Sequence, residues 1–161
     1  MNPSPQTKSQ AYEAATREIH AVLSDESDRT AQMATIACIL HHRLPYFFWT
    51  GFYRHAAPRT LVIGPYQGTL GCLRIRFDQG VCGACASTEQ TVIVPDTHAF
   101  PGHIACDPHS QSEIVVPVFD THHRLIAVFD VDSTQPAAFD AVDQLYLEQI
   151  MTRFANPQSI A

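Results

Sequence analysis

The sequence predicts an α+β fold in which a central, mainly antiparallel sheet carries the helices of both chain ends on one face. Near both ends, apolar residues recur at steps of three and four, which is the helical period. Between them lie short apolar runs rich in β-branched and aromatic residues, most of them joined by short turns. The 161 residues favour a single domain, residues 1–161, with a full-sized hydrophobic core.

Long helices are predicted at both ends of the chain. The first follows a loose tail over residues 1–6 and covers residues 7–23. The second covers residues 29–42, with Asp28 as its N-cap. The last is predicted over residues 135–154, beginning at a Gln-Pro pair.

Strands and one short helix are predicted between the long helices. The strands are expected at residues 46–54, 60–64, 72–77, 91–94, 112–119 and 125–131. A short helix of small residues, 81–87, follows Gly80, and a long irregular stretch over residues 95–111 carries three histidines. A loop of that length inside a compact domain usually has a function or is disordered.

The charge balance argues against nucleic-acid and membrane partners. The chain has 10 Lys and Arg residues against 16 Asp and Glu, a formal net charge of −6, and no cluster of bases to neutralise phosphates. No apolar run approaches the roughly 20 residues of a membrane span, and residues 1–10 lack the apolar core of a signal peptide. We therefore expect a cytoplasmic protein, whose five cysteines fit reactive, metal-bound or buried roles better than a static disulfide framework.

Three cysteines predict thiol redox chemistry on a small substrate. Cys72, Cys82 and Cys106 lie in separate segments rich in glycine or histidine, at predicted loops and strand ends where a thiol can meet a ligand and another thiol. The simpler alternatives are that Cys72 is a buried strand end and that Cys82 is structural. Cys38, by contrast, lies in an apolar run of the second predicted helix, Ile36-Ala-Cys38-Ile-Leu40, and is expected in the core.

Local electrostatics alone do not select Cys106 as the nucleophile. Cys82 sits at a glycine-flanked helix start, where the helix dipole lowers the pKa of a thiol. Cys106 precedes Asp107, whose charge should raise the thiol pKa unless protonated His103 and His109 offset it. Zinc bound by Cys106 and the histidines of residues 95–111 is an alternative, but no tight metal-ligand spacing is present, so no metal is expected.

An acidic face is predicted on two strands. Asp130 and Asp132 stand two residues apart on one strand, so their side chains share a face. If Glu113 approaches them across the sheet, mutual repulsion holds at least one of the three carboxyls protonated near neutral pH. The simpler alternative is a set of solvated carboxylates on an edge strand.

Six segments, in order along the chain, carry a resemblance to a known family. They are Trp49-Thr-Gly-Phe-Tyr53, Gly64-Pro-Tyr-Gln-Gly68, Gly80-Val-Cys82-Gly83, His103-Ile-Ala-Cys106-Asp107, Ser112-Glu113-Ile114-Val115 and Asp130-Val-Asp132-Ser133. Together they resemble the free methionine-(R)-sulfoxide reductases, enzymes built on a GAF domain. The resemblance is dense from residue 49 to residue 133, and the flanking helices agree with the architecture.

The resemblance implies a substrate and roles for three thiols. The substrate would be free L-methionine-(R)-sulfoxide, reduced to L-methionine. Cys106 would be the nucleophile and pass through a sulfenic acid, Cys72 would close a disulfide with it, and Cys82 would be a third active-site thiol with an auxiliary resolving role. Thioredoxin would reduce the disulfide, no bound cofactor would be needed, and the protein would be a homodimer. Cys85, one helical turn after Cys82, departs from the family pattern.

The resemblance also implies the walls of the substrate pocket. Trp49 and Tyr53, four residues apart on a predicted strand, would surround the substrate methyl group and sulfur, although both could instead be core aromatics. Glu113, Asp130 and Asp132 would form an acidic wall, and Glu113 is a candidate catalytic proton donor. GAF domains also serve as non-catalytic sensors of small molecules, and a thiol redox switch would form the same disulfide, so both are kept as alternatives.

Overall fold

The chain forms four α-helices and six strands within the residues that the structure describes. The structure is a computed structural model and describes residues 2–102 and 106–156. The elements are α1 (Pro5–Val22), α2 (Arg29–Arg43), β1 (Trp49–Ala57), β2 (Thr60–Gln67), β3 (Arg74–Arg76), α3 (Gly80–Thr88), β4 (Val92–Val94), β5 (Ser112–Phe119), β6 (Leu125–Ser133) and α4 (Ala141–Ala155). Among the described residues, no helix combines the length and apolarity that crossing a membrane requires.

The strands form one antiparallel sheet with a hydrophobic core on each face. Their order is β3-β2-β1-β6-β5-β4. Because side chains alternate between the two faces of a strand, Phe52, Ile114 and Phe129 pack against α1, α2 and α4 on one face. Tyr53 and Val115, their neighbours in sequence, pack against α3 on the other face. The predicted α+β class, with both terminal helices on one face of the sheet, is confirmed.

Two helices begin at residues that differ from the prediction. α1 begins at Pro5, because the Ser4 hydroxyl accepts a backbone N–H of the first turn and a proline there loses no hydrogen bond. Pro5 and Gln6, which were predicted to belong to a loose tail over residues 1–6, therefore belong to α1. α4 begins at Ala141 rather than at residue 135, because Asp140 and Asp143 form a reciprocal capping box at its start.

Cys38 is exposed, so its predicted place in the core is wrong. The buried side of α2 includes Ala37 and Leu40. Each residue turns the direction of the side chain by about 100°, so a residue next to a buried one can face solvent. The Sγ atom of Cys38 lies 3.9 Å from Nδ1 of His42, on the outer side of the helix.

A buried ionic network joins the two ends of the chain. Lys8 of α1 is 1% exposed; its ammonium group donates to the carbonyl of Ala138 at 2.7 Å and contacts the fully buried carboxylate of Asp143 in α4. The hydroxyls of Tyr12 and Tyr46 donate to the other oxygen of that carboxylate, at 2.9 and 2.5 Å. A buried charge is stable only when it is paired and hydrogen-bonded, so the network stabilises the packing of α1 on α4.

Replacing Asp143 by alanine is expected to lower the free energy of unfolding by about 3 kcal/mol or more, because Lys8 loses a buried partner and two tyrosine hydroxyls lose their acceptor. Urea unfolding at neutral pH measures the change. The matched control is Glu18→Ala, which removes the exposed pair with Arg43 and should cost no more than about 1 kcal/mol. Equal losses in the two variants would contradict the role given to the network.

Candidate active site

One pocket collects every predicted site residue except Cys72, which is bonded to a residue of its lining. The pocket opens on the sheet face that packs against α3, and its cavity volume is about 40 Å³. Its lining residues are Trp49, Tyr53, Leu70, Gly71, Ile75, Gln79, Gly80, Val81, Cys82, Cys106, Asp107, Ser110, Glu113, Asp130 and Asp132.

The strand register brings the acidic and aromatic side chains together. β6 lies between β1 and β5 in the sheet. Glu113 on β5 pairs with Asp132 on β6, and Asp132 pairs with Trp49 on β1. Asp130 lies two residues from Asp132 on β6, and Tyr53 lies four residues from Trp49 on β1. Because side chains on a strand alternate with a period of two residues, all four side chains lie on the same face of the sheet. The pocket therefore follows from the pairing of three neighbouring strands.

Of the three carboxyl groups in the pocket, those of Glu113 and Asp130 are buried, and both have raised pKa values. Glu113 is 6% exposed and Asp130 is 5% exposed. Burial, followed by the charge of Asp132, raises the pKa of Glu113 well above its usual value. Burial, followed by the charge of Glu113, raises the pKa of Asp130 in the same way. The pair therefore holds a proton at pH values where an ordinary carboxyl group is ionised.

Cys82 is not the activated thiol that its place at a helix start suggested. It is 3% exposed, and burial, followed by the charges of Asp130 and Glu113, raises the pKa of its thiol well above the usual value. Desolvation and two neighbouring acids outweigh the helix dipole, which acts only as a partial charge. Cys85, one turn later, is fully buried, and burial raises the pKa of its thiol as well.

The apolar wall of the pocket is a stack of aromatic rings. The ring of Trp49 stacks with those of Tyr53 and Tyr66 at centroid distances of 5.6 and 5.2 Å, and its Nε1 donates to the carbonyl of Thr69 at 3.0 Å. A Cβ atom at Gly71 would lie 2.9 Å from the hydroxyl oxygen of Tyr53, so only glycine lets this loop approach the wall so closely. Burial raises the pKa of Tyr53, which keeps its hydroxyl protonated.

A disulfide lies at the pocket, where one of its two cysteines, Cys106, is part of the lining. It joins Cys72 to Cys106, with 5.4 Å between the Cα atoms and 34 residues of separation. Cys106 is exposed and Cys72 is half-buried. The same two loops are also linked by the hydroxyl of Thr69, which donates to Asp107 at 2.7 Å. The structure thus presents an oxidised dithiol beside the acids and aromatic rings.

Sequence reasoning missed the residues that hold the loops in place. Thr69 and Ser110 were assigned no role, and Asp107 was considered only as a charge beside Cys106. The hydrogen bond from Thr69, followed by the backbone N–H of His109, lowers the pKa of Asp107. Ser110 donates a hydrogen bond to Asp132, which orients that carboxylate at the pocket. No local spacing encodes such contacts, because their partners are 22 and 38 residues apart in the chain.

The structure does not gather the described histidines into a metal site. His98 and His109 belong to no group of three close ligands among the described residues, and His103 lies outside them. The described part of the chain does contain one other group whose potential ligand atoms lie within 4.8 Å of one another. Its members are Cys82, Glu113 and Asp130.

The fold and the site together define a GAF domain. The GAF domain family matches residues 10–156 of the chain. GAF domain-containing protein A of Dictyostelium discoideum is 41% identical over 150 residues, which are 93% of this chain and 94% of that protein.

Two further relatives carry the name of one activity. The free methionine-R-sulfoxide reductase of Escherichia coli is 37% identical over 146 residues, 91% of this chain and 87% of that protein. The X-ray structure of the free methionine-R-sulfoxide reductase of Neisseria meningitidis, in complex with its substrate, has a TM-score of 0.87 at 41% identity, covering 92% of this chain and 89% of that one. The chain belongs to the free methionine-R-sulfoxide reductase family of GAF domains.

Replacing Glu113 by glutamine is expected to raise the free energy of unfolding above that of the unchanged protein. This difference should increase as the pH rises. A carboxyl whose pKa is raised by folding stabilises the fold below its unfolded pKa, about 4.3 for Glu, and this contribution is lost as the pH rises through the folded pKa. The gain approaches about 1.4 kcal/mol for each pH unit in that window.

Urea unfolding at several pH values between about 5 and 8 measures this trend. The control is Asp25→Asn, on an exposed residue between α1 and α2, which should show no such trend. A stability difference for Glu113→Gln that stays constant with pH would contradict the proton held by the buried pair.

Proposed function

We propose that this protein reduces free L-methionine-(R)-sulfoxide to L-methionine, with Cys106 as the nucleophile. The observation that carries the proposal is the meeting of the Cys106 segment, an aromatic wall and a buried acid pair in one pocket. The similarity to free methionine-R-sulfoxide reductases over most of the chain supports the class of reaction.

The pocket offers complementary surfaces to the two ends of this substrate. The methyl group and sulfur would lie against Trp49 and Tyr53, where each sulfur–aromatic contact contributes about 0.3–1.5 kcal/mol. The ammonium group would lie against those of the carboxyl groups of Glu113, Asp130 and Asp132 that are ionised, while a protonated one would face the sulfoxide oxygen. Substrate binding would thus place the sulfoxide between the aromatic wall and the cysteine segment.

The reaction needs a thiolate at the sulfoxide sulfur and a proton for the sulfoxide oxygen. In the reduced protein Cys106, which is exposed, would form its thiolate without the desolvation cost that burdens Cys82. The proton would come from the buried pair of Glu113 and Asp130. The S–O bond of the substrate breaks, its sulfur gains two electrons, and the Cys106 thiol loses two and becomes a sulfenic acid as methionine leaves.

Cys72 would complete the cycle. Its thiol condenses with the sulfenic acid of Cys106, which forms the disulfide and releases water. Thioredoxin would reduce that disulfide by thiol exchange at the exposed sulfur of Cys106, and Cys82 would serve as an auxiliary resolving thiol. The proposed cycle needs no bound cofactor. We further propose that the protein is a homodimer and that it works in the cytoplasm, where thioredoxin is kept reduced.

The reduced protein is expected to convert only the R diastereomer of free methionine sulfoxide. The measurement is the amount of free methionine formed from each separated diastereomer with dithiothreitol as the reductant. A sensor domain would bind without turnover, and a peroxide-responsive thiol switch would form its disulfide without releasing methionine. Absence of methionine from both diastereomers would therefore refute the proposal.

Two cysteine variants separate the chemical step from recycling. Cys106→Ser should lower turnover by at least about 10³-fold, because the nucleophile is lost. Cys72→Ser should still release about one methionine per chain in a single turnover, but should fail to cycle with thioredoxin. Cys38→Ser, on the exposed face of α2, is the control and should retain full activity. Full activity of Cys106→Ser would overturn its assignment, and undisturbed thioredoxin cycling of Cys72→Ser would remove Cys72 from the scheme.

A further inference from the structure

We propose that the floor of the pocket binds one soft divalent cation of the zinc class, through the sulfur of Cys82 and carboxylate oxygens of Glu113 and Asp130. The three ligand atoms lie within 4.8 Å of one another and all three residues are buried. They come from three different elements, α3, β5 and β6, so the site exists only in the folded chain.

The spacing of the three atoms is close to that of a bound metal. A point between atoms no more than 4.8 Å apart can lie within about 2.8 Å of each, against about 2.3 Å for a zinc–sulfur bond and about 2.0–2.2 Å for a zinc–oxygen bond. Side-chain rotations that move each ligand inward by roughly half an ångström complete the coordination. The fourth position faces the pocket and can take water.

One carboxyl oxygen of Asp130, a residue of this group, is buried and has unused bonding capacity. Oxygen Oδ1 of Asp130 has no hydrogen-bond partner among the residues that the structure describes, and the residue is only 5% exposed. A buried polar atom without a partner costs free energy of order 1–3 kcal/mol, which a bound cation would recover. This orphaned oxygen is an observation independent of the clustering of acids.

The ligand set selects the chemical class of the cation. A thiolate with two carboxylates suits zinc or cadmium better than magnesium or calcium, which prefer all-oxygen sites. When the cation binds, it displaces two protons, one from the thiol of Cys82 and one from the Glu113–Asp130 carboxyl pair. No electron is transferred. The cation then neutralises charges that are otherwise costly to bury together.

A cation at this site would compete with the substrate of the proposed reductase, and this competition rests on the proposed function. A cation on Glu113 and Asp130 occupies the place proposed for the substrate ammonium group, so the two should compete. It does not involve Cys72 and Cys106, which are bonded to each other while the three ligand atoms are grouped. Metal binding should therefore persist when that disulfide is closed, unlike binding to the redox pair itself.

The binding test uses cadmium and the oxidised Cys38→Ser protein, in which Cys82 and Cys85 are the remaining free thiols. We expect one cadmium per chain by calorimetry, with a cadmium–thiolate absorption band and proton release into weak buffer. A second substitution in the same protein, Cys82→Ser, should abolish the absorption band. Asp130→Asn in the same background should weaken the affinity for cadmium by at least about tenfold. The matched control, Cys85→Ala, should retain the band and the affinity.

Three results would overturn the inference: no cadmium bound, a band that survives Cys82→Ser, or a band that appears only after the disulfide is reduced. Circular dichroism checks the folding of each variant, and Asp130→Asn provides a second route if Cys82→Ser does not fold.

The inhibition test is separate: zinc should raise KM for the sulfoxide and leave kcat unchanged, with thioredoxin as reductant. Metal binding to a protein that never forms methionine would refute the proposed function and leave the metal site standing.

Discussion

The burial of acidic side chains against one another is the interaction on which the site depends. Glu113 and Asp130 are almost wholly buried, and Asp132 stands beside them at the pocket. Several carboxylates cannot all be ionised in a poorly hydrated space, because their repulsion is weakly screened there. The cluster must therefore retain protons or recruit a cation. The proposed proton donation, the proposed ammonium binding and the proposed metal binding would each answer this one electrostatic demand.

The same burial divides the cysteines into two classes. Cys82 and Cys85 lie on the buried side of α3, where burial raises the pKa of both thiols, and Cys82 lines the pocket. Cys72 and Cys106 lie in loops, where Cys72 is half-buried, Cys106 is exposed, and the two are bonded to each other. Position relative to solvent, rather than the helix dipole, separates the disulfide-bonded cysteines from the buried free thiols.

Much of the site could be predicted from strand periodicity. Asp130 and Asp132 share a face with Trp49 and Tyr53 because side chains two residues apart on a strand point the same way. Helix starts were less predictable: Asp28 was identified as an N-cap, but α4 begins at its capping box and not at the preceding Gln-Pro pair. Capping depends on side-chain hydrogen bonds that compete along the chain, and the sequence pattern does not rank them.

The sequence by itself determined the class of the fold, the acidic and aromatic faces and the set of thiols, because each follows from residue type and short-range period. Only the tertiary structure decided that Cys38 faces solvent, that burial reverses the expected activation of Cys82, and that Thr69 links its loop to Asp107. Solvent exposure and electrostatic environment arise from elements distant in the chain, and no local pattern of residues records which of them will meet.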